Sequence, residues 1–398
     1  MDILSSIIEF FGGGILNFSV GKMLIWTLIA THITIASVTI FLHRSQAHRS
    51  LDLHAIPSHF FRFWLWITTG MVTKEWVSIH RKHHAKCETH EDPHSPQTQG
   101  IKKILLEGAE LYRIESKNQE TLEKYGHGTP NDWIERNLYT KYSWQGVALM
   151  LILNVALFGV FGLTIWAIQM LWIPIWAAGV INGLGHFVGY RNFDAADAST
   201  NLVPWGILIG GEELHNNHHT YPTSARLSNK WYEFDIGWFY IRILEICKLA
   251  KVKKIAPTVK FNKSPQAVSV SESTLQALIH HRYDAMNKYK RILLSAYQQE
   301  ANKLKLQANK IQDIKALLLK DSKQLTEEEK QNLSIIFNNS KTLQTLYEMR
   351  LELVKLWEKS HHTSEQLLQS LREWCQKAEN SNMPSLKAFA NRVQSYVI

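Results

Sequence analysis

From Met23 to Leu42 the chain reads MLIWTLIATHITIASVTIFL, with no Asp, Glu, Lys or Arg. About twenty apolar residues rising 1.5 Å each cross a hydrocarbon layer of about 30 Å, so the run predicts a membrane-spanning helix. From Tyr142 to Tyr190 there is again no formal charge over 49 residues. That length predicts two crossings with a tight turn near Gly159–Gln169 and Pro174 early in the second helix. Ser58–Ile79 is rich in aromatics but interrupted by Arg62, Lys74 and Glu75. With histidines at both ends it is too short to cross twice. It predicts a segment lying along the interface, or dipping in and returning.

After about Val252 the pattern changes to a polar linker and then a Leu-, Lys-, Gln- and Glu-rich tail with apolar spacings of three and four. The expected architecture is all-α. Residues 1–255 form a membrane helical bundle with a cytoplasmic histidine-rich cap, residues 256–272 a linker, and residues 273–398 a soluble helical extension. Thr326–Glu329 is an N-cap signal in that extension, whose apolar stripes read as its own packing seam. Residues 1–21 fit either an amphipathic anchor or part of a further crossing.

Charge changes the picture on one point. The net charge of +9 would suggest nucleic acid. However, Arg44, Arg49, Arg62, Arg81, Lys82, Lys86, Lys102 and Lys103 follow the first apolar run, while residues 1–21 hold no Lys or Arg. The positive-inside rule assigns this basic face to the cytoplasm. The expected partners are therefore a lipid bilayer and no nucleic acid. The 3 cysteines lie far apart, which argues against a disulfide framework or zinc ribbon.

Histidine is the compositional outlier, with 19 in the chain. Nine fall into His43-Arg-Ser-Gln-Ala-His48, His80-Arg-Lys-His83-His84, Asn182-Gly-Leu-Gly-His186 and His215-Asn-Asn-His218-His219. In His-x-x-His-His the offsets of three and four place all the imidazoles on one helical face. Asn182 and His186 stack in the same way. His43 and His48 differ by five residues, which on an α-helix turns them about 140° apart. The helix should therefore end between them, or each should serve a different metal. Nine imidazoles exceed the needs of one four-coordinate zinc and imply two ions. Zinc would imply a hydrolase or transporter, iron an oxygen-activating enzyme; the ligands alone leave this open.

The order HRxxxH, HRxHH, NxxxH followed by GYR, and HNxHH, separated by long apolar runs, resembles the membrane fatty acyl desaturases. The acyl-CoA type, including stearoyl-CoA delta-9 desaturases and bacterial relatives, is the nearest likeness. KCETHEDPHS and NGLGHFVGYRNFDAADASTN extend the likeness, which covers about Thr31 to Tyr221. It implies a mushroom of membrane helices under a cytoplasmic cap, two iron ions, and O₂-dependent insertion of a cis double bond into a saturated acyl chain. The implied ligands are His43, His48, His80, His83, His84, His186, His215, His218 and His219, with Asn182 acting through a water. The implied substrate is fatty acyl-CoA ahead of an acyl lipid. No HPGG-type haem segment is present, so electrons are expected from a separate ferredoxin- or rubredoxin-like protein and its reductase. A bacterial inner membrane is the expected location.

Around these boxes, Glu75, Asp92, Asp197, Glu212 and Glu213 are candidates to fix imidazole tautomers. Trp76, His90 and His94 are candidates for substrate or supporting contacts. Trp64, Trp66, Trp144 and Trp166 fit tunnel walls or interface anchors. His32 reads as a helix–helix hydrogen-bond partner, and His127, His280, His281, His361 and His362 as solvated. The competing readings are a histidine-box hydroxylase of lipids or alkanes, a zinc or nickel transporter, and a membrane-tethered scaffold.

Overall fold

The computed structural model describes residues 9–262, 270–303, 308–320, 322, 325–358 and 363–397. Expectations for residues 1–8, for residues 263–269 of the linker and for His361 and His362 fall outside that set. The chain divides into two units, Met1–Ala256 and Pro257–Ile398.

In the first unit, helix α1 (Val20–Ser37) runs directly into a π-helical stretch, Val38–Ala47. Its threonines fold their hydroxyls onto backbone carbonyls within the helix, Thr27 onto Met23 and Thr31 onto Thr27, both at 2.8 Å. Polar side chains in an apolar helix are satisfied in this way without a partner elsewhere. His32 Nε2 meets Tyr240 Oη at 2.6 Å, the cross-helix partner its position required.

The interrupted aromatic segment forms two helices, α2 (Ala55–Thr69) and α3 (Thr73–Lys86). Gly70, at φ 65°, breaks them apart in the left-handed region that glycine reaches without penalty. Arg62, which interrupts the apolar pattern, is buried between Asp132 (2.6 Å) and Glu135 (2.8 Å). Its charge is neutralised inside the fold rather than displayed at a surface.

Helices α4 (Ile101–Glu115), α5 (Ser143–Phe158) and α6 (Phe161–Ile173) follow, and α6 continues as a second π-helical stretch, Pro174–Leu184. The turn between α5 and α6 falls at Gly159–Val160. Pro174 is not early in the second apolar helix, as expected, but thirteen residues in. It marks the change from α to π winding, where a residue without an N–H costs least. The backbone of Phe11, Ile15 and Leu16 is hydrogen-bonded to Val160, Ala156 and Leu157. Gly14 (φ 63°) permits this approach, since a Cβ there would lie 2.4 Å from Phe158 N. Val20–Ala47 and Phe161–Leu184 are long and apolar enough to cross a membrane, and Ser143–Phe158 is a shorter apolar helix.

The final pieces are α7 (His215–Thr220) and α8 (Ile236–Ile246). Two small strand pairs flank them. Leu51–Leu53 pairs antiparallel with Ala250–Val252, and Trp205–Gly206 pairs parallel with Phe234–Asp235.

The second unit is a set of helices from Glu272–His280 to Pro384–Gln394 around Leu278, Tyr289, Leu293, Leu346, Trp374 and Phe389. Trp374 Nε1 donates to Met349 O at 2.8 Å, and Tyr289 Oη to Leu346 O at 2.9 Å. The apolar stripes of the tail are therefore spent on its own core. Thr326 and Glu329 form the reciprocal capping box that their spacing predicts. His281, expected in solvent, is buried instead, packed beside Tyr396.

Candidate metal centre

All nine histidines of the four motifs come together. His43, His48, His80, His84 and His218 present ring nitrogens within 4.8 Å of one another. A second cluster joins His83, His186 and His219. His215 belongs with it, its Nε2 lying 3.0 Å from that of His186. Asn182 lines the same cavity wall as His215.

The helix does end between His43 and His48: the π-helical stretch stops at Ala47 and His48 is its C-cap. His48 N bonds to His43 O at 3.0 Å, the five-residue bond that defines a π-turn. The wider turn brings offset-five side chains onto one face, so both rings enter the same cluster with centroids 4.8 Å apart.

Carboxylates behind the rings set their chemistry. Asp92 lies 2.9 Å from His83 Nδ1, Asp197 lies 2.9 Å from His219 Nδ1, and Glu88 lies 3.4 Å from His186 Nδ1. Glu212 Oε1 is 2.8 Å from His43 Nδ1 and accepts from Thr39 Oγ1. Asp92 and Asp197 hold a proton on Nδ1 of His83 and His219 and leave each Nε2 lone pair facing inward. Burial, and then the neighbouring rings, push His80, His83, His84, His215, His218 and His219 well below the ordinary imidazole value. These rings are neutral at physiological pH, the form that binds metal.

The inward nitrogens meet at short range. Nε2–Nε2 separations are 3.0 Å for His43–His218, 2.8 Å for His48–His80, 2.9 Å for His84–His218 and 3.2 Å for His83–His186. His219 Nε2 is buried without a hydrogen-bond partner. Lone pairs directed at one another in a buried space repel, and a cation between them turns each contact into a bond. The donor set fits imidazole-bound transition metals in two adjacent positions.

Other predicted residues separate into those at the site and those elsewhere. Trp76 stacks on His80 at 4.8 Å, with ring planes 15° apart. His94 is buried against His83, ring centroids 4.3 Å apart. His90 is exposed. Glu213 meets no imidazole; it accepts from the backbone N–H of Ile209 and Gly211. Glu75 likewise touches no imidazole among the described hydrogen bonds and lines the cavity instead. Two participants escaped sequence reasoning. Glu88 follows the second box in a left-handed turn (φ 63°) that aims it at His186. Arg44, inside the first box, is buried in a two-pronged pair with Asp235 at 2.8 and 3.1 Å.

A cavity of about 690 Å³ opens from the clusters. Its inner wall includes His43, His80, His94, Asn182, Glu212 and His215, its sides Val38, Trp76, Ile79, Met170, Ile173 and Ile181, and its rim Arg113 and Lys117. Such a volume, mostly apolar with a few polar groups, suits a small organic ligand.

An apolar channel ending at two facing imidazole clusters defines a histidine-box protein of lipid chemistry, and comparison makes the class specific. Residues 21–236 match the family model described as fatty acid desaturase. The chain belongs to that family. It is 33% identical over 222 residues to an Arabidopsis thaliana protein described as "Probable lipid desaturase ADS3.2, chloroplastic", across 55% of this chain and 60% of that one. It is 29% identical to the sn-1 stearoyl-lipid 9-desaturase of Anabaena variabilis, across 55% and 79% of the two chains. It is 30% identical to Acyl-CoA 5-desaturase AL21 of Anemone leveillei, across 56% and 69%. The chain thus spans under two thirds of the first of these relatives. Residues 275–397 match a different family model, described as transposase. Among the described residues, no cluster of metal-binding side chains falls in that stretch.

Proposed function

We propose that the chain is an O₂-dependent fatty acyl desaturase that places a cis double bond, at the delta-9 position, in a saturated acyl chain. The observation that carries this reading is the convergence of nine imidazoles in two adjacent clusters at the end of one apolar cavity. His43, His48, His80, His84 and His218 would hold one iron, and His83, His186, His215 and His219 the other, with Asn182 acting through water. Two irons held there would supply the chemistry for removing two hydrogens from an unactivated methylene pair, using O₂ and two electrons.

The protein's own residues do the rest. Val38, Ile79, Ile173 and Ile181 give the acyl chain an apolar path that excludes water, and Trp76 braces His80 from behind. Asp92 and Asp197 hold the imidazole protons of His83 and His219 outward. Acyl-CoA is the proposed substrate, because Arg113 and Lys117 at the rim suit an anionic headgroup. Two electrons per turnover would come from a separate ferredoxin- or rubredoxin-like carrier and its reductase. The apolar helices Val20–Ala47 and Phe161–Leu184 are proposed to anchor the unit in a bacterial inner membrane with the clusters on the cytoplasmic side.

The test is expression in a bacterial host supplied with such a carrier, followed by gas chromatography of host lipids. New monounsaturated chains are expected. An unchanged profile with iron bound would contradict the reading, and hydroxylated chains would convert it to the hydroxylase alternative.

A further inference from the structure

Helix α8 carries apolar side chains on both of its faces. Inward, Ile241 is fully buried, and Trp238, Tyr240 and Leu244 pack beside it in the core of the first unit. Outward, Phe239, Ile243 and Ile246 form one stripe at offsets of four and three, and all three are exposed, Ile246 by 75%. The charged residues of the helix, Arg242 and Glu245, are paired with each other. The patch continues through Trp205 and Phe234, exposed on the strand pair just ahead of α8. A helix apolar all round belongs where water is absent on every side, and a continuous exposed apolar patch marks a contact surface. At 1.5 Å for each of its 11 residues α8 is about 16 Å long, half of a hydrocarbon layer of about 30 Å, so it cannot cross one.

The residues that follow indicate what covers the stripe. Between Glu245 and Glu272 there is no acidic residue, while Lys248, Lys251, Lys253 and Lys254 come directly after the helix. Asp52 takes up Lys253 at 2.8 Å. Lys248, Lys251 and Lys254 are exposed and enter no ion pair among the described residues. Lys248 closes α8 at φ 58°, in the left-handed region where glycine is the usual residue. A lysine kept there despite the strain points to a task for its side chain. An apolar stripe ending in unpaired lysines matches the layering of a membrane surface, with acyl chains beneath anionic phosphates. Tyr240 Oη meets His32 Nε2 at 2.6 Å, which holds α8 against Val20–Ala47, a segment long and apolar enough to span the bilayer.

We propose that α8 lies in the surface layer of the bilayer as a second anchor, and that this anchor selects anionic phospholipid. Phe239, Ile243 and Ile246 enter the acyl layer, with Trp205 and Phe234 at its boundary. Lys248, Lys251 and Lys254 bind the phosphates of headgroups such as phosphatidylglycerol.

This inference rests on the membrane reading and not on the metals, so its test needs no turnover. Cys247, exposed at the end of α8, carries a bimane fluorophore on the full chain in phosphatidylcholine nanodiscs. A Cys247→Ser chain treated alongside subtracts any signal from Cys87 and Cys375. The quencher is a spin label high on the acyl chain, carried at equal mole fraction on phosphatidylglycerol or on phosphatidylcholine. Both lipids are expected to quench the label, phosphatidylglycerol more strongly. Lys248→Gln, Lys251→Gln and Lys254→Gln together should abolish the difference and leave the rest of the quenching, and high salt should shrink it. Phe239→Ser with Ile243→Ser should lower quenching by both lipids, with retained iron showing that the unit is still folded.

A label untouched by either lipid, in protein that has entered the nanodisc, would overturn the anchor and leave the desaturase reading standing. Equal quenching by the two lipids would overturn the anionic selection. Quenching that appears only in discs holding two chains would give the stripe to a second copy and overturn the anchor as well. A chain that enters no nanodisc would overturn the anchor together with the membrane reading beneath it.

Discussion

His218 is the residue on which the first cluster turns. Its Nε2 lies 3.0 Å from His43 and 2.9 Å from His84, so it bridges rings from the first π-helical stretch and α3. His218→Ala should abolish desaturation and lower bound iron while the protein still inserts in the membrane, as read by metal analysis and membrane fractionation. Full activity in that variant would remove the ligand assignment. Arg44 makes a structural counterpart. It is buried against Asp235 and also donates to the carbonyls of Ala225 and Gly210. Arg44→Leu strands a buried carboxylate and should cost about 3–5 kcal/mol, measured as a lower unfolding midpoint in detergent. At this scale the nine histidines were legible because their spacing is improbable without a shared ligand. Glu88 and Arg44 were not. Glu88 depends on a left-handed turn, and Arg44 on a partner 191 residues away in sequence. Of the five carboxylates singled out, Asp92, Asp197 and Glu212 face imidazoles. Glu75 and Glu213 lie equally near the boxes along the chain but are turned elsewhere by the fold.

The elements place these residues through departures from ideal winding. The stretch Val38–Ala47 exists as a π-helix so that a five-residue interval closes one turn. Deleting Gln46 shortens the interval to four and forces the segment toward α-winding, which moves every residue after the deletion around the axis. The expected result is loss of iron from the first cluster, near half the original content, with loss of activity. Unchanged iron would show that π-winding is incidental. Periodicity analysis located this helix but not its winding, because an apolar pattern is compatible with either pitch. Helix α4 meets the second π stretch at Gly108, where an added Cβ would fall 2.5 Å from Ala178 O. That closeness forms one wall of the cavity, and no hydropathy pattern announces it. The Gly70 break is different, since charge interruptions between aromatic runs already indicated a segment that changes direction.

The whole molecule joins two units of unlike character, and the sequence showed the change of composition near Val252. The first carries every predicted metal residue, and Lys251–Val252 closes it by pairing with Leu51–Asp52. The second spends its apolar residues internally around Trp374 and Tyr289, and residues 275–397 match a different family model. A chain ending after residue 262 is therefore expected to keep its iron and its desaturation when assayed with the same carrier. Loss of both would give the extension a part in the site. The expectation that no nucleic acid binds rests on the basic face alone, and a gel-shift assay of the full chain with duplex DNA is the direct check now that residues 275–397 match a transposase model. His281 shows what composition hides at this scale: a polar residue in a polar tail is buried once the helices assemble.

The central claim is that two irons held by nine imidazoles desaturate an acyl chain lying in the cavity. Its most direct measurement is gas chromatography with mass spectrometry of stearoyl-CoA after incubation with purified, iron-loaded protein, O₂ and a reduced ferredoxin. The predicted result is a single monounsaturated product whose formation requires O₂ and stops in His218→Ala. Stearoyl chains recovered unaltered, from protein shown to carry two irons and to accept electrons, would contradict it.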